Sequence, residues 1–171
     1  MQNRSRKNLH HLIKAYSILN KKGIDSKIKL VIAGDSDFED EYSLSLKKMA
    51  KDNGVIMTGF VKGEKLQTLL TNARCYVLPS SHEGLPIGLL EAMSYQLPVI
   101  VSDIPAHVEL NLDKKSYFHL GNIEELVSAL QNNIETEFSP VKYDMQKYDW
   151  EYIANEVCKV YQKCFDNKPR K

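Results

Sequence analysis

Apolar positions along the chain follow two alternating rhythms. Short, nearly continuous apolar runs rich in β-branched residues fall at 28–33, 55–59, 75–79, 98–102 and 116–120. Continuous rather than alternating apolar character is what a strand covered on both faces requires, so each run predicts a buried strand. Between the runs the spacing lengthens to three and four. Leu9, Leu12, Ile13, Tyr16 and Leu19 share one helical face, and Gly23 follows the last turn, where a left-handed C-terminal cap is wanted. Further helices are predicted at about 38–52, 64–72, 87–95 and 122–133, the last opening with Asn122-x-x-Glu125, a capping-box arrangement. A final helix places Trp150, Ile153, Ala154, Val157, Val160 and Cys164 along one stripe, and the polar tail 166–171 is expected to fray. Strands alternating with helices imply a parallel sheet with helices on both faces, a three-layer α/β domain. No repeat or low-complexity segment interrupts residues 1–165, which read as one domain; the polar stretch 135–139 and Pro140 mark a connection before the last helices.

Composition narrows the function classes. The chain has 171 residues, 43% hydrophobic and 26% charged, which is ordinary for a soluble globular domain. Lys+Arg is 23 against Asp+Glu 22, a formal net charge of +1, so there is no basic excess to argue for nucleic acid as a partner. No stretch approaches the roughly 18–20 consecutive apolar residues of a transmembrane segment, and residues 1–6 carry no apolar signal-peptide core. The three cysteines, Cys75, Cys158 and Cys164, form no CxxC pair, and an odd count suits a reducing, cytoplasmic compartment. With no neighbouring base in sequence, they are expected to be buried thiols.

The segment 79–93 carries the chemistry. It leaves the end of an apolar strand, where ligands sit in open α/β sheets, and turns through Gly84 and Pro86 into a helix containing Glu91. Leu89, Leu90, Ala92 and Met93 surround Glu91. Burying an unpaired carboxylate costs on the order of several kcal/mol. Glu91 therefore either points to solvent or a lysine, or accepts from a pair of neighbouring hydroxyls such as a ribose offers. Glu83 lies eight positions earlier on the loop, and Gly84 exposes backbone N–H groups just before a helix N-terminus, a seat for phosphate oxygens. One carboxylate per sugar with a phosphate seat between them describes a nucleotide-sugar site.

Glu83 to Glu91 matches the E-x7-E motif, and the chain resembles the C-terminal, donor-binding domain of retaining glycosyltransferases of the GT-B fold, family 4 in particular. Supporting blocks run in order between about residues 7 and 165: Lys7-Asn8-Leu9, Leu30-Val31-Ile32-Ala33-Gly34-Asp35, Thr58-Gly59-Phe60-Val61 with Leu66, the run 73–80, the run 97–103 and the helix from Trp150. The resemblance implies a Rossmann-like domain that binds a nucleotide sugar. It implies that Glu83 holds hydroxyls of the transferred sugar and Glu91 those of the ribose. Gly84, Leu85 and Pro86 would line the sugar–diphosphate seat, and Ile87 would give the first helical N–H. Phe60, Val61 and Leu66 would lie against the base. Lys7 would stabilise the leaving diphosphate. No metal or other cofactor is expected, and a UDP-sugar is the expected donor. The implied partners are an N-terminal acceptor domain of a longer parent and a glycan or lipid-linked acceptor for cell-surface polysaccharide. The implied location is cytoplasmic, with the parent peripheral at the inner face of the membrane; the isolated chain is expected to be inactive.

The match departs from the family in places. Relatives begin the domain with a strand ending in Gly-Arg-Leu, its phosphate-binding arginine five residues before the lysine. Here that position is Gln2, and residues 1–6 predict no strand, so the usual first strand is missing, with Arg4 or Arg6 as substitutes for the arginine. Gln96 stands where many relatives have glycine. Asp35-Ser36-Asp37 spells a metal-binding Asp-x-Asp, but its acidic residues equally suit the N-terminus of the following helix. His82 reads as a partly buried loop residue, His10-His11 as structural, and His107 and His119 have no partner at metal-ligand spacing. A module that folds without binding donor is the alternative; a dehydrogenase is disfavoured because no G-x-G-x-x-G follows a strand.

Overall fold

All five predicted strands form, each shorter than the apolar run containing it. This computed structural model describes residues 5–24, 27–35 and 39–166. β1 spans Val31–Ile32, β2 Ile56–Met57, β3 Tyr76–Leu78, β4 Val99–Ser102 and β5 Tyr117–Phe118. β1 and β2 pair in parallel, Val31 opposite Ile56 and Ile32 opposite Met57. β3, β4 and β5 form a second parallel ladder with β4 central. The shortening has a simple cause: an apolar run extends as far as burial does, but a ladder exists only where a neighbouring strand is in register. Every residue of β4 is buried, as a strand covered on both faces should be. Parallel pairs need crossovers, supplied by α2 (Glu41–Asp52), α4 (Ile87–Ser94) and the single turn α5 (Pro105–Val108), while α3 (Glu64–Thr71) links the two ladders. α1 (Leu9–Lys21) precedes β1 and α6 (Ile123–Glu135) follows β5.

Among the described residues no ladder joins β1 to β3; the two halves share α1 instead. Leu12, Ala15 and Leu19 pack with Ile100, Phe118 and the α6 residues Leu126, Val127 and Leu130. Ile13 and Tyr16 pack with Ile32, Leu46, Ala50 and Val55. Two stripes offset by one residue give α1 an apolar face wide enough for both halves, and each large aliphatic buried there is worth about 1.5–3 kcal/mol. The helix ends as predicted: Gly23 has φ 81°, and Ile24 N–H returns to the Leu19 carbonyl at 3.3 Å. α2 opens with a full capping box, Ser43 N–H donating to Asp40 Oδ1 at 2.8 Å and Asp40 N–H to Ser43 Oγ at 2.9 Å. Its predicted first residue, Phe38, lies outside the described residues. At α6 only half of the expected box forms. Asn122 Oδ1 accepts Glu125 N–H at 3.1 Å, but the Glu125 carboxylate is drawn to the backbone and ring N–H groups of His119, each at 2.8 Å.

The chain divides into two compact units, Met1–Val141 and Lys142–Lys171. The second holds a 3-10 turn at Gln146–Tyr148 and α7 (Trp150–Asp166), with Asp149 Oδ1 capping it by accepting Tyr152 N–H at 3.0 Å. No residue of α7 is buried, so Cys158 and Cys164 are exposed thiols, a correction to their expected burial. Cys75 does pack against the core, and burial pushes its thiol up to about 11. Arg4 and the tail beyond Asp166 lie outside the described residues, and Ser5–Lys7 is a 3-10 turn. Among the described residues no helix is long and apolar enough to cross a membrane.

Candidate functional site

Glu83 sits on the loop after β3. Its carboxylate is only 10% exposed, and one oxygen, Oε1, accepts both Lys7 Nζ at 2.6 Å and Ser80 Oγ at 2.6 Å. Lys7 is distant in sequence; it arrives because its turn is tied to the same loop. Ser81 N–H donates to the Arg6 carbonyl at 2.7 Å, and the Asn8 side-chain amide donates to the Pro79 carbonyl at 3.1 Å. Asn8 then turns the chain into α1 with φ 48°, a left-handed conformation that asparagine tolerates better than most residues. Ser80 is fully buried, and its carbonyl accepts Ser102 Oγ–H at 2.5 Å. The ends of β3 and β4 and the turn before α1 thus converge on one carboxylate. With Ser81 and Glu83 both facing that turn, His82 is left pointing out and is exposed, which corrects the partly buried position expected for it.

Between Glu83 and Glu91 the backbone tightens. Pro86 has φ −80° and ψ 73°, and Ile87 N–H donates to the Leu85 carbonyl at 2.9 Å, an inverse γ-turn. That donor is occupied inside the turn, so Ile87 does not offer the free first helical N–H that was expected of it. The N–H groups of Gly84, Leu85 and Gly88 have no acceptor among the described residues. α4 buries Leu89, Ala92 and Met93 and leaves Glu91 exposed on its other side. Glu91 therefore carries no burial cost despite its apolar neighbours, and it is open to solvent or ligand. Leu85 and Ile87 are exposed beside it. Phe60, 77% exposed, Val61 and Leu66 belong to the segment after β2 rather than to the Glu83 loop. A shallow depression of about 380 Å³ opens between α2 and the ends of β1 and β2, lined by Gly34, Asp35, Gly59, Lys47 and Lys51; Phe60, Val61, Leu66, Glu83 and Glu91 are not part of it.

Three residues beside Glu83 were missed by sequence reasoning: Ser80, Tyr76 and His107. A Cβ at Gly88 would lie 2.8 Å from the Tyr76 hydroxyl oxygen, which places the phenol under the first turn of α4. Burial, then the charges of Glu83 and Glu91, push this phenol up to about 12, so it stays protonated. His107, on α5, is fully buried. Burial lowers its pKa; the bond to the Ser102 carbonyl and the charge of Glu83 oppose that shift, and Lys7 adds to it. Only the apolar setting of α5, with Ile104 buried at its start, hinted in sequence at an enclosed imidazole. The His10 and His11 rings lie 4.2 Å apart, tilted by 57°, and His10 Nδ1 meets the Tyr42 hydroxyl at 3.1 Å, a structural contact between α1 and α2. Among the described residues no cluster of three or more His, Cys, Asp or Glu could hold a metal; Ser36 and Asp37 of the Asp-x-Asp lie outside them.

Comparison with known proteins gives this arrangement its family. Residues 2–150 match the family described as glycosyl transferases group 1. O-antigen chain mannosyltransferase RfbU of Salmonella typhimurium is 34% identical over 157 residues, which cover 88% of this chain and 42% of that protein. O-antigen chain mannosyltransferase B of Escherichia coli is 26% identical over 166 residues, covering 92% of this chain and 43% of that protein. The chain thus spans about two-fifths of the length of these relatives. Among solved structures, Anabaena HepE in complex with UDP superposes with a TM-score of 0.76 at 18% identity, covering 92% of this chain and 46% of the other. The catalytic domain of cholesterol-α-glucosyltransferase from Helicobacter pylori gives 0.61 at 24% identity, covering 95% and 92%. With the fold shared by GT-B glycosyltransferases and a family match over most of its length, the chain belongs to the glycosyl transferases group 1 family.

Proposed function

We propose that this chain is the donor-binding domain of a retaining glycosyltransferase that moves a sugar from a nucleoside-diphosphate sugar to a glycan or lipid-linked acceptor, without a metal. The observation that carries the reading is the Lys7–Glu83 contact at 2.6 Å, made between residues 76 positions apart, where the chain goes on into the open N–H groups of Gly84, Leu85 and Gly88. It sets a cation for a leaving diphosphate against a carboxylate for sugar hydroxyls, with backbone donors in the segment just after that carboxylate for phosphate oxygens. In this reading Glu83 holds the transferred sugar, Glu91 the ribose, Lys7 the diphosphate, Pro86 shapes the seat, and Phe60, Val61 and Leu66 receive the base. The acceptor site belongs to an N-terminal domain of the parent, which works at the cytoplasmic face of the membrane.

UDP is the expected nucleotide, in keeping with the UDP held by HepE and by Staphylococcus aureus TarM, which superposes with a TM-score of 0.73. A GDP-linked donor is the second reading. It is favoured by the 29% identical GDP-mannose:cellobiosyl-diphosphopolyprenol α-mannosyltransferase of Xanthomonas oryzae. Calorimetric titration with UDP, GDP and ADP, and with the corresponding nucleotide sugars, tests both. Saturable binding is expected for one diphosphate; Glu91→Gln weakens it, and Glu83→Gln weakens binding only when the sugar is attached. A folded chain that binds none of them, or variants that leave binding untouched, would refute the reading in favour of a module that does not hold donor.

A further inference from the structure

Behind Glu83 runs a buried polar chain that the donor chemistry does not itself use. Nδ1 of His107 lies 2.9 Å from the Ser102 carbonyl oxygen and 3.3 Å from Ser102 Oγ. A carbonyl can only accept, so Nδ1 carries the proton. Ser102 Oγ gives its own proton to the Ser80 carbonyl at 2.5 Å, which leaves it a lone pair for Nδ1–H. Ser80 Oγ in turn donates to Glu83 Oε1 at 2.6 Å. The donors point one way, from imidazole to carboxylate. Ser80, Ser102 and His107 are each 0% exposed, so no water competes for these bonds from the surface.

The other imidazole nitrogen shows why this histidine is unusual. With the proton on Nδ1, Nε2 is a bare acceptor, sealed from solvent and without a partner among the described residues. An unsatisfied buried polar atom costs about 1–3 kcal/mol, so an apolar side chain would fill the same space at lower cost. The sealed position of Nε2 also means that His107 does not touch a ligand. What the side chain contributes, it contributes through Nδ1. Its backbone is held from the far side as well: the Tyr117 hydroxyl donates to the His107 carbonyl at 3.2 Å and accepts Leu112 N–H at 2.9 Å.

We propose that His107 is a positioning residue for Glu83: its neutral Nδ1–H pins the end of β4 and, through Ser102 and Ser80, sets the direction of the Glu83 carboxylate. Its consequence for sugar recognition rests on the proposed donor function; the relay itself does not.

The test needs no ligand at first. Nitrogen-15 shifts of the His107 ring in the full chain should show a protonated Nδ1 and a bare Nε2. The side-chain carboxyl carbon-13 shift of Glu83, read at one fixed pH, should change in His107→Leu and His107→Gln, as expected when a carboxylate loses an oriented hydrogen-bond donor. His107→Asn, whose amide can donate from the Nδ1 position, should restore it. Ser80→Ala should change it in the same direction, and His107→Gln added to Ser80→Ala should move it no further. Should the leucine variant not fold, the glutamine and asparagine variants and the parent's ring tautomer decide alone. An Nε2–H tautomer, a Glu83 carboxyl carbon-13 shift indifferent to residue 107 in a folded variant, or additive changes would each overturn the assignment. Titrating the same proteins with UDP and a UDP-sugar keeps the two readings separate. His107→Gln should weaken the UDP-sugar several-fold and leave UDP unchanged. A relay seen by NMR in a chain that binds neither ligand would sink the donor reading and leave the positioning role standing.

Discussion

The contact between Gly88 and Tyr76 allows a quantitative test of how the α4 turn is built. Gly88 is the second residue of α4, where alanine would ordinarily be favoured over glycine by up to about 1 kcal/mol. A Cβ there, however, would stand 2.8 Å from the Tyr76 hydroxyl oxygen and 3.7 Å from Cζ. Even weak C–H···O contacts sit at about 3.3–3.6 Å, so the tyrosine or the turn must move. Overpacking of this kind costs about 1–3 kcal/mol, and Gly88→Ala should therefore be destabilising by roughly 0.5–2 kcal/mol net of the propensity gain. In a Tyr76→Phe background the oxygen is gone and the nearest heavy atom is Cζ at 3.7 Å, ordinary van der Waals contact. There Gly88→Ala should be neutral or stabilising by up to about 1 kcal/mol. The four proteins of this cycle can be compared by urea denaturation followed by far-UV circular dichroism. The chain's one tryptophan, Trp150, lies on α7 in the second unit, so its fluorescence would report on the wrong part. An equal effect of Gly88→Ala in both backgrounds would show that the hydroxyl does not set the turn.

Two further measurements use the same assay. Gln96 ends α4 with φ 59°, a left-handed conformation that costs a non-glycine residue roughly 1–2 kcal/mol; since glycine gives back part of that in chain entropy, Gln96→Gly should raise the urea midpoint by the equivalent of about 1 kcal/mol with an unchanged m-value. Acidification should destabilise the chain through half-buried His10 and His11 and enclosed His107: burial, the largest cause in each, lowers all three from 6.5. Below pH 6.5 the unfolded chain binds protons that the folded chain refuses, so their contribution is complete above that pH and fades as the pH falls toward the folded values. Exposed His119, raised by its bond to Glu125, acts in the opposite sense, its contribution fading as pH rises. His107→Asn should make the loss of midpoint on acidification shallower, and an unchanged slope would show that His107 is not titrating there.

Much of this fold could be read in the chain because its elements declare themselves locally. The apolar runs at 98–102 and 75–79 became β4 and β3, and the two offset stripes of α1 were visible as one broad face. Gly23 was placed correctly as a left-handed helix end, since a helix terminus is a local event. What escaped was non-local. Ser80 and His107 are unremarkable in sequence, and only the approach of β4 to β3 puts Ser102 between them. Tyr76 and Gly88 constrain each other across a loop, with no spacing rule to connect them. The thiols of Cys158 and Cys164 follow a good amphipathic stripe, but a stripe says which face can be buried and not whether anything covers it. Glu91 shows the converse: among apolar neighbours it had either to face solvent or to be held by hydroxyl donors, and it is exposed, because four consecutive helical residues point in four directions.

The Lys7–Glu83 pair bears on how the proposed donor would enter. Lys7 is half exposed, so its own charge stays solvated, or passes to a diphosphate, when it leaves Glu83. Glu83 is in a different position. At 10% exposure it is too enclosed to stand without donors, and losing Lys7 would leave it only Ser80. Stranding a buried charge in this way costs on the order of several kcal/mol. A nucleoside diphosphate alone therefore draws Lys7 away at the expense of Glu83, whereas a sugar attached to it supplies hydroxyl donors to the same carboxylate. The two halves of a nucleotide sugar would in this way bind cooperatively, and the device needs no moving loop: one lysine changes partner while Ser80, held by Ser102 and His107, keeps the carboxylate pointing the same way.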